Sequence, residues 1–458
     1  MKKSMQCSSR KALILLACFL LGSAACATRV GREQPLDRWT PEERQREQAQ
    51  LEGDRAPELL VLLAFSGGGT RAAAFSYGVL QELAATEVMT QKGPRPLHHE
   101  VDVLSSVSGG SFTSAYFGLR GDAIFEEFEE RFLRKNIEGA LIGQFFNPLN
   151  WPKLMNLSYG RSDIAAEYYS KHVFDGATFA DLERPGAPAV VINATDLGSG
   201  MRFPFYRGYF DMICADIDQY PVSRAVAASS AVPGLLSPIS LESYAGRCGY
   251  QTLDWITQSA KDEDSTVRKT EAKLMLSYLD REKRPWLHLV DGGIADNLGL
   301  RSFYNRVSLA GGLEAAFPEA KHPGGRQVLM ILVNAIVKET PEWALVSQNP
   351  SLVEVIGSVS SIQLSRFDVD TIELVRKSFE RWTQQSSRPG RPVSFDFVEV
   401  SFEHMPDEAQ RKKLNQVGTN FHLSDEQVDL LIGAARQILR ESPDFQSFLE
   451  RNRSRGGR

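Results

Sequence analysis

Five short, largely apolar runs constrain this chain most: Leu59 to Phe65, Val101 to Val107, Ala189 to Ala194, Leu287 to Val290 and Val328 to Val337. None alternates regularly with polar residues, so each suits a strand covered on both faces, as in a parallel sheet between helical layers. Helical spacing fills the intervals. After the first run, Ala72, Phe75, Val79, Leu80 and Leu83 recur so as to turn one stripe toward the sheet. Strand, tight turn and helix in repetition predict an α/β fold, a three-layer α/β/α sandwich with a mostly parallel central sheet. With 458 residues, 42% of them hydrophobic and 24% charged, the chain has ample material for a large core.

The body is expected over residues 58–340, with 255–285, which hold the charged run KDEDSTVRKTEAK, as a surface insertion. Residues 341–458 read as a C-terminal α+β extension packed on that body. It has a helical stretch from Thr371 to Trp382, an alternating strand-like piece from Val393 to Phe402, and a final helix. Ser424 and Gln427 form a capping box ahead of an apolar face of Val428, Leu431, Ile432, Ala435 and Leu439. At the other end, Lys2, Lys3, Arg10 and Lys11 precede an apolar stretch from Ala12 to Leu21, which predicts an export signal over residues 1–25. That stretch is shorter than the roughly 20 apolar residues a membrane span needs. The small residues before Cys26 resemble the lipidation signal of bacterial lipoproteins. Ser23 stands where an aliphatic residue is usual, so cleavage without lipidation stays open. Residues 26–57 are charged and read as a tether. Cys214 and Cys248 remain in the folded body, either as a disulfide of an oxidising compartment or as two buried thiols. No cysteine or histidine spacing suggests a metal. With 52 basic against 57 acidic side chains, the net charge of −5 gives no reason to expect nucleic acid as a partner. Membrane contact would rest on apolar surface or a lipid anchor.

Three local patterns carry chemistry. Ser105-Ser106-Val107-Ser108-Gly109-Gly110-Ser111 lies just after one apolar run and just before a helical stretch. A serine at such a strand-to-helix turn presents its hydroxyl above the sheet edge, and the small neighbours let the turn close. Ser106 replaces the first glycine of the usual G-x-S-x-G pattern. Upstream, Phe65-Ser66-Gly67-Gly68-Gly69-Thr70-Arg71 ends the first run and opens a helix. Its backbone N–H groups and the helix start suit an anion, either a phosphate or a transient oxyanion. A nucleotide loop would need Gly-Lys-Ser/Thr, and a dinucleotide loop a third glycine where Ala72 stands, so the oxyanion reading gains by elimination. Downstream, Val290-Asp291-Gly292-Gly293 puts a carboxylate beside two glycines at the end of another run. Functional groups gather at the carboxyl ends of strands in α/β sheets, where all three patterns are expected.

Together the glycine loop with its arginine, the serine turn and the Asp-Gly-Gly resemble the patatin-like phospholipase family. The segment Ala228-Ser229-Ser230-Ala231-Val232-Pro233-Gly234 is similar to a further block of that family. The resemblance spans residues 65–293 and is loose beyond them. It implies a Ser-Asp dyad without a catalytic histidine. Ser108 would attack an acyl carbonyl and Asp291 would act as base, with the N–H groups of Gly67, Gly68, Gly69 and Gly109 around the oxyanion and an acyl-enzyme as intermediate. Arg71 would organise the glycine loop. The substrate implied is a fatty-acyl ester of a phospholipid or related lipid, and no metal or organic cofactor is expected. The place of action would be a bacterial cell envelope, as a lipoprotein, or the outside of the cell.

Two other readings stay open. A Ser-His-Asp esterase would recruit His322, His404 or His422, the histidines that follow Asp291, and none has a motif around it. A non-catalytic envelope lipoprotein would bind lipid or protein on the same scaffold. Phe145 to Pro152 is apolar and broken by prolines, so it reads as a lid or lipid-facing loop, or as a segment packed on the core. Asp211, Asp216 and Asp218 are spaced too loosely for a calcium loop.

Overall fold

The computed structural model describes residues 33–41, 55–155, 159–317, 326–338, 342–347 and 349–456. The expected signal segment, Cys26 and His322 lie outside them. The central sheet has eight strands: β1 (Leu59–Phe65), β2 (Val101–Val107), β3 (Ala189–Asp196), β4 (Met201–Phe205), β5 (Ile239–Glu242), β6 (Trp286–Val290), β7 (Arg326–Asn334) and β8 (Val393–Ser401). Their order is β8-β7-β1-β2-β3-β6-β5, with β4 beside β3. From β8 to β3 every pairing is parallel, while β4 and β6 run antiparallel to β3 and β5 antiparallel to β6.

Helices cover both faces, and β1 shows why its run is apolar throughout. Leu59, Val61, Leu63 and Phe65 enter one core, which they share with α1 (Gly69–Ala84), α2 (Gly109–Arg120) and α3 (Val222–Ser229). Leu60, Leu62 and Ala64 enter the other, under α4 (Arg301–Ala310) and α5 (Leu352–Ser386). A strand whose alternate residues face two apolar layers has no polar side. The three layers are those expected from the sequence. No helix among the described residues is long and apolar enough to cross a membrane.

Three segments differ from their sequence reading. The C-terminal part is built into the body, because β8 extends the central sheet through a nine-residue parallel register with β7. Helix α6 (Asp425–Glu441) then packs on α1 so closely that a Cβ at Gly78 would stand 2.6 Å from the Ile432 carbonyl oxygen. Its capping box forms as expected, with Ser424 Oγ accepting from Gln427 N. Residues 255–285 fold as two helices, Asp254–Ser259 and Thr266–Tyr278, and bury Ala272, Met275 and Tyr278 in the first core. In the expected tether, residues 33–41 lie on the body. Gln34 pairs with Asp216, and buried Trp39 donates through Nε1 to Asp211 Oδ2 at 3.1 Å. Trp39 also packs with Cys214 and Cys248, which form a disulfide.

Candidate active site

The three sequence patterns meet at one point, although by a different path than a wholly parallel sheet would give. β3 pairs with β2 as far as Asn193 and with β6 from Thr195 onward, while β4 occupies its other edge. β2 and β6 therefore approach end to end along one edge of β3. Ser108, just past β2, faces Asp291, just past β6, and Ser108 Oγ donates to Asp291 Oδ2 at 2.9 Å.

Ser108 has φ 49° and ψ −120°, a backbone state that costs an ordinary residue about 1–3 kcal/mol and persists only where the surroundings impose it. Here several contacts impose it. Ser108 N–H donates to Ser229 Oγ at 2.8 Å, and Ser229 Oγ in turn donates to the Asn193 carbonyl at 2.6 Å. Behind the turn, a Cβ on Gly109 would lie 1.9 Å from the Gly69 carbonyl oxygen, and one on Gly110 2.7 Å from that of Ser66. Only glycine lets the serine turn press against the glycine loop. Ser106 points inward, where Ser114 Oγ donates to its hydroxyl, so this position tolerates a side chain.

Asp291 is fixed at every polar atom. Its N–H donates to the Ala231 carbonyl at 3.0 Å, its carbonyl accepts from Thr195 Oγ1 at 2.8 Å, and Oδ1 accepts from Gly293 N–H at 2.8 Å. Burial pushes its carboxyl up from the usual 3.8 to about 6, partly offset by the Gly293 and Ser108 hydrogen bonds. It is thereby a stronger base than a solvated aspartate and is still ionised at neutral pH.

The glycine loop supplies donors, with one correction. Gly67 N–H already donates to the Asn297 carbonyl at 2.9 Å, so it is not free to bind an oxyanion. Among the described residues the N–H groups of Gly68, Gly69 and Gly109 have no acceptor, and they open α1 and α2, whose first turns carry partial positive charge. Arg71 donates through Nε to the Ala335 carbonyl at 3.0 Å and through a terminal nitrogen to the Val417 carbonyl at 2.6 Å. It joins α1 to the end of β7 and to the C-terminal region, and burial lowers its guanidinium to about 10.

Four positioning residues have no role in the sequence reading: Asn193, Thr195, Ser229 and Asn297. Ser229 lay within a block already singled out, and Asn297 follows Asp291 by six residues, so extending those two motifs was the available signal. Asn193 and Thr195 sit inside an apolar strand and gave none. Among the described residues no histidine bonds to Ser108 or Asp291. His404 pairs instead with Ser401 Oγ at 3.0 Å, and His422 is exposed. Asp211 is engaged by Trp39 and Asp218 by Arg207, so these carboxylates do not converge. A cavity of about 330 Å³ lined by Asp163, Glu167, Lys171, Ser223 and Arg224 lies at the start of α3, the opposite end from Ser229.

A sequence model described as patatin-like phospholipase matches residues 63–304, just over half of the chain. No curated protein matches by sequence. Among solved structures, human GIVD cytosolic phospholipase A2 aligns over 93% of this chain with 13% identity and a TM-score of 0.43. This chain spans 66% of that one's length. The same enzyme bound to methyl gamma-linolenyl fluorophosphonate aligns at 11% identity and a TM-score of 0.42, over the same shares of the two chains. VipD from Legionella pneumophila aligns over 90% of this chain and 72% of its own at 13% identity, with a TM-score of 0.28.

Proposed function

Because the chain belongs to the patatin-like phospholipase family, we propose that it is a serine acyl-hydrolase that cleaves fatty-acyl esters of membrane lipids through Ser108 and Asp291. The observation that carries this reading is the 2.9 Å hydrogen bond between a serine held at positive φ and a buried carboxylate of raised pKa.

In the first half-reaction Asp291 accepts the Ser108 proton as Oγ adds to the acyl carbonyl. The oxyanion would be received by the N–H groups of Gly68, Gly69 and Gly109, which have no acceptor among the described residues. The ester C–O bond then breaks, and Asp291 returns its proton to the departing alcohol. Water enters, Asp291 takes a proton from it as the water oxygen adds to the acyl carbonyl, and the acyl–Oγ bond then breaks with Asp291 returning that proton to Ser108 Oγ, which releases the fatty acid and restores the dyad. Arg71 and Asn297 act through the glycine loop they position.

Apolar surface supports a lipid substrate. Ile142, Phe146, Leu149, Trp151 and Met155 are exposed along one segment, Phe146 at 76% and Leu149 at 83%. That segment starts beside the glycine loop: Glu138 N–H donates to the Phe421 carbonyl, and the preceding Asn420 carbonyl accepts from Thr70 N–H. Val232, Leu235 and Ile294, in the chain segments that hold Asp291, are exposed as well. Such a patch suits contact with a bilayer from which the substrate is drawn. Delivery to a bacterial envelope, by the signal in residues 1–25 with or without a lipid on Cys26, belongs to the same proposal and rests on sequence alone.

The test is release of free fatty acid from mixed phospholipid vesicles, with Ser108→Ala and Asp291→Asn run beside the parent. Loss in both, with activity kept in His322→Ala, His404→Ala and His422→Ala, is the expected pattern. Turnover that survives Ser108→Ala, or a histidine variant as dead as Ser108→Ala, would overturn the dyad. Absence of both turnover and fluorophosphonate labelling of Ser108 would point to a binding scaffold.

A further inference from the structure

We propose that His98, His99 and Asp122 form a binding site for a divalent transition-metal ion of the zinc type. The sequence offered no metal motif here, because the histidines and the aspartate are brought together only by the fold. His98 and His99 lie in a 3-10 turn over Leu97–Glu100 that runs directly into β2, and Asp122 lies just past the end of α2. The three residues thus sit where the strand leading to Ser108 begins and the helix following it ends.

Both imidazoles present the same nitrogen to one carboxylate oxygen. His98 Nε2 is 2.9 Å and His99 Nε2 3.0 Å from Asp122 Oδ1, and the three ligand atoms lie within 4.8 Å of one another. Zinc bonds of about 2.0–2.2 Å to nitrogen and oxygen place tetrahedral ligands roughly 3.4 Å apart, so the carboxylate oxygen need withdraw only about half an ångström from each imidazole to admit the ion. Among the described residues no lysine or arginine is ion-paired with Asp122, and its ion-pair partners are the two imidazoles. The carboxylate charge is therefore available to a cation. His98 is buried, packs against Phe125 and His99, and has an Nδ1 without a partner, which leaves Nε2 as the ring's polar outlet. His99 and Asp122 are exposed, so water completes the coordination. Two imidazoles and one carboxylate favour zinc, nickel or copper over calcium or magnesium, which prefer all-oxygen sets.

Bound there, the ion would clamp the two ends of the strand-turn-helix unit that carries Ser108, with all three ligands far from the reacting atoms. Its signature is therefore stability. Tag-free, chelator-treated protein should bind one zinc ion in a calorimetric titration with zinc sulfate. At a hundredfold excess over Kd its melting midpoint should rise by about 3 °C. His99→Ala and Asp122→Asn change exposed side chains and leave the fold in place; each should weaken binding at least tenfold and, at the same zinc concentration, cut the shift by about half or more. Zinc binding of equal affinity in both variants would overturn the proposal, as would no binding up to about 1 mM. A preference for calcium chloride over zinc sulfate would overturn the transition-metal assignment.

Discussion

Replacing Asp291 by asparagine should abolish turnover and, at alkaline pH, make the protein more stable. The carboxyl is held at about 6 in the folded chain against a usual 3.8, chiefly by burial. Between those values the native state keeps a proton that the unfolded chain has lost, so stability falls as pH rises through the window. A raised carboxyl pKa thus disfavours folding above about pH 6, and a gap of roughly two units corresponds to about 3 kcal/mol. Asparagine keeps the shape, can still accept from Gly293 N–H through Oδ1, and can donate to Ser108 Oγ where the carboxylate oxygen accepted. With an unfolding entropy near 2.1 cal/mol/K per residue, about 3 kcal/mol raises the melting midpoint of a chain this long by roughly 3 °C. The assay is a melting series of the variant against the parent from pH 4 to 8. The variant's advantage should be full at about pH 8 and vanish near pH 4. Asp296 and Asp368 are also raised by burial, to about 6 and about 7, but they are common to both proteins and cancel in the difference. An advantage that is absent at pH 8, or the same at both ends, would refute the reasoning that Asp291 is charged and desolvated.

In the parent, kcat/KM should fall about tenfold per pH unit below about pH 6 as Asp291 takes up its proton; a profile flat to pH 5 would count against Asp291 as base. Ser229→Ala deprives the Ser108 amide of its acceptor and should destabilise by about 1–3 kcal/mol in denaturant melts, with kcat reduced and KM little changed. Gly109→Ala should inactivate, since its methyl would fall 1.9 Å from a carbonyl oxygen, whereas Gly143→Ala, exposed in a helix with nothing within 4 Å, should stabilise by about 0.5–1 kcal/mol. Reducing the Cys214–Cys248 disulfide, 34 residues apart in sequence, should lower stability by about 3–4 kcal/mol, read as a shift of the denaturant midpoint with dithiothreitol.

The sheet was legible because two-sided burial writes itself into consecutive residues. The runs Leu59 to Phe65 and Val101 to Val107 coincide with β1 and β2, and the Ser424 capping box marks the start of α6. The same cue hid the direction of β6, since an apolar run shows burial and not polarity of the chain. Of the site, Ser108, Asp291 and the glycines stood out because turns require small residues. Asn193 and Thr195 did not, because a buried hydroxyl or amide satisfied by a backbone partner looks in sequence like any polar residue in a strand. The family resemblance gives Gly67 an oxyanion-binding N–H, and the bond that occupies it, to Asn297, depends on a contact 230 residues away. Residues 33–41 read by charge as a tether, and what anchors them is buried Trp39 together with backbone pairing to Ala215 and Asp216.

The glycine loop near the start of the chain is held by residues near its end: Arg71 reaches the Val417 carbonyl, Thr70 N–H the Asn420 carbonyl, and α1 lies under α6. A chain emerging from the ribosome amino end first would thus have its serine turn some 300 residues before the supports that hold the glycine loop beside it. If the proposed activity holds, synthesis order itself would delay competence, and a nascent or truncated chain lacking those supports would meet the producing cell's own membranes unarmed.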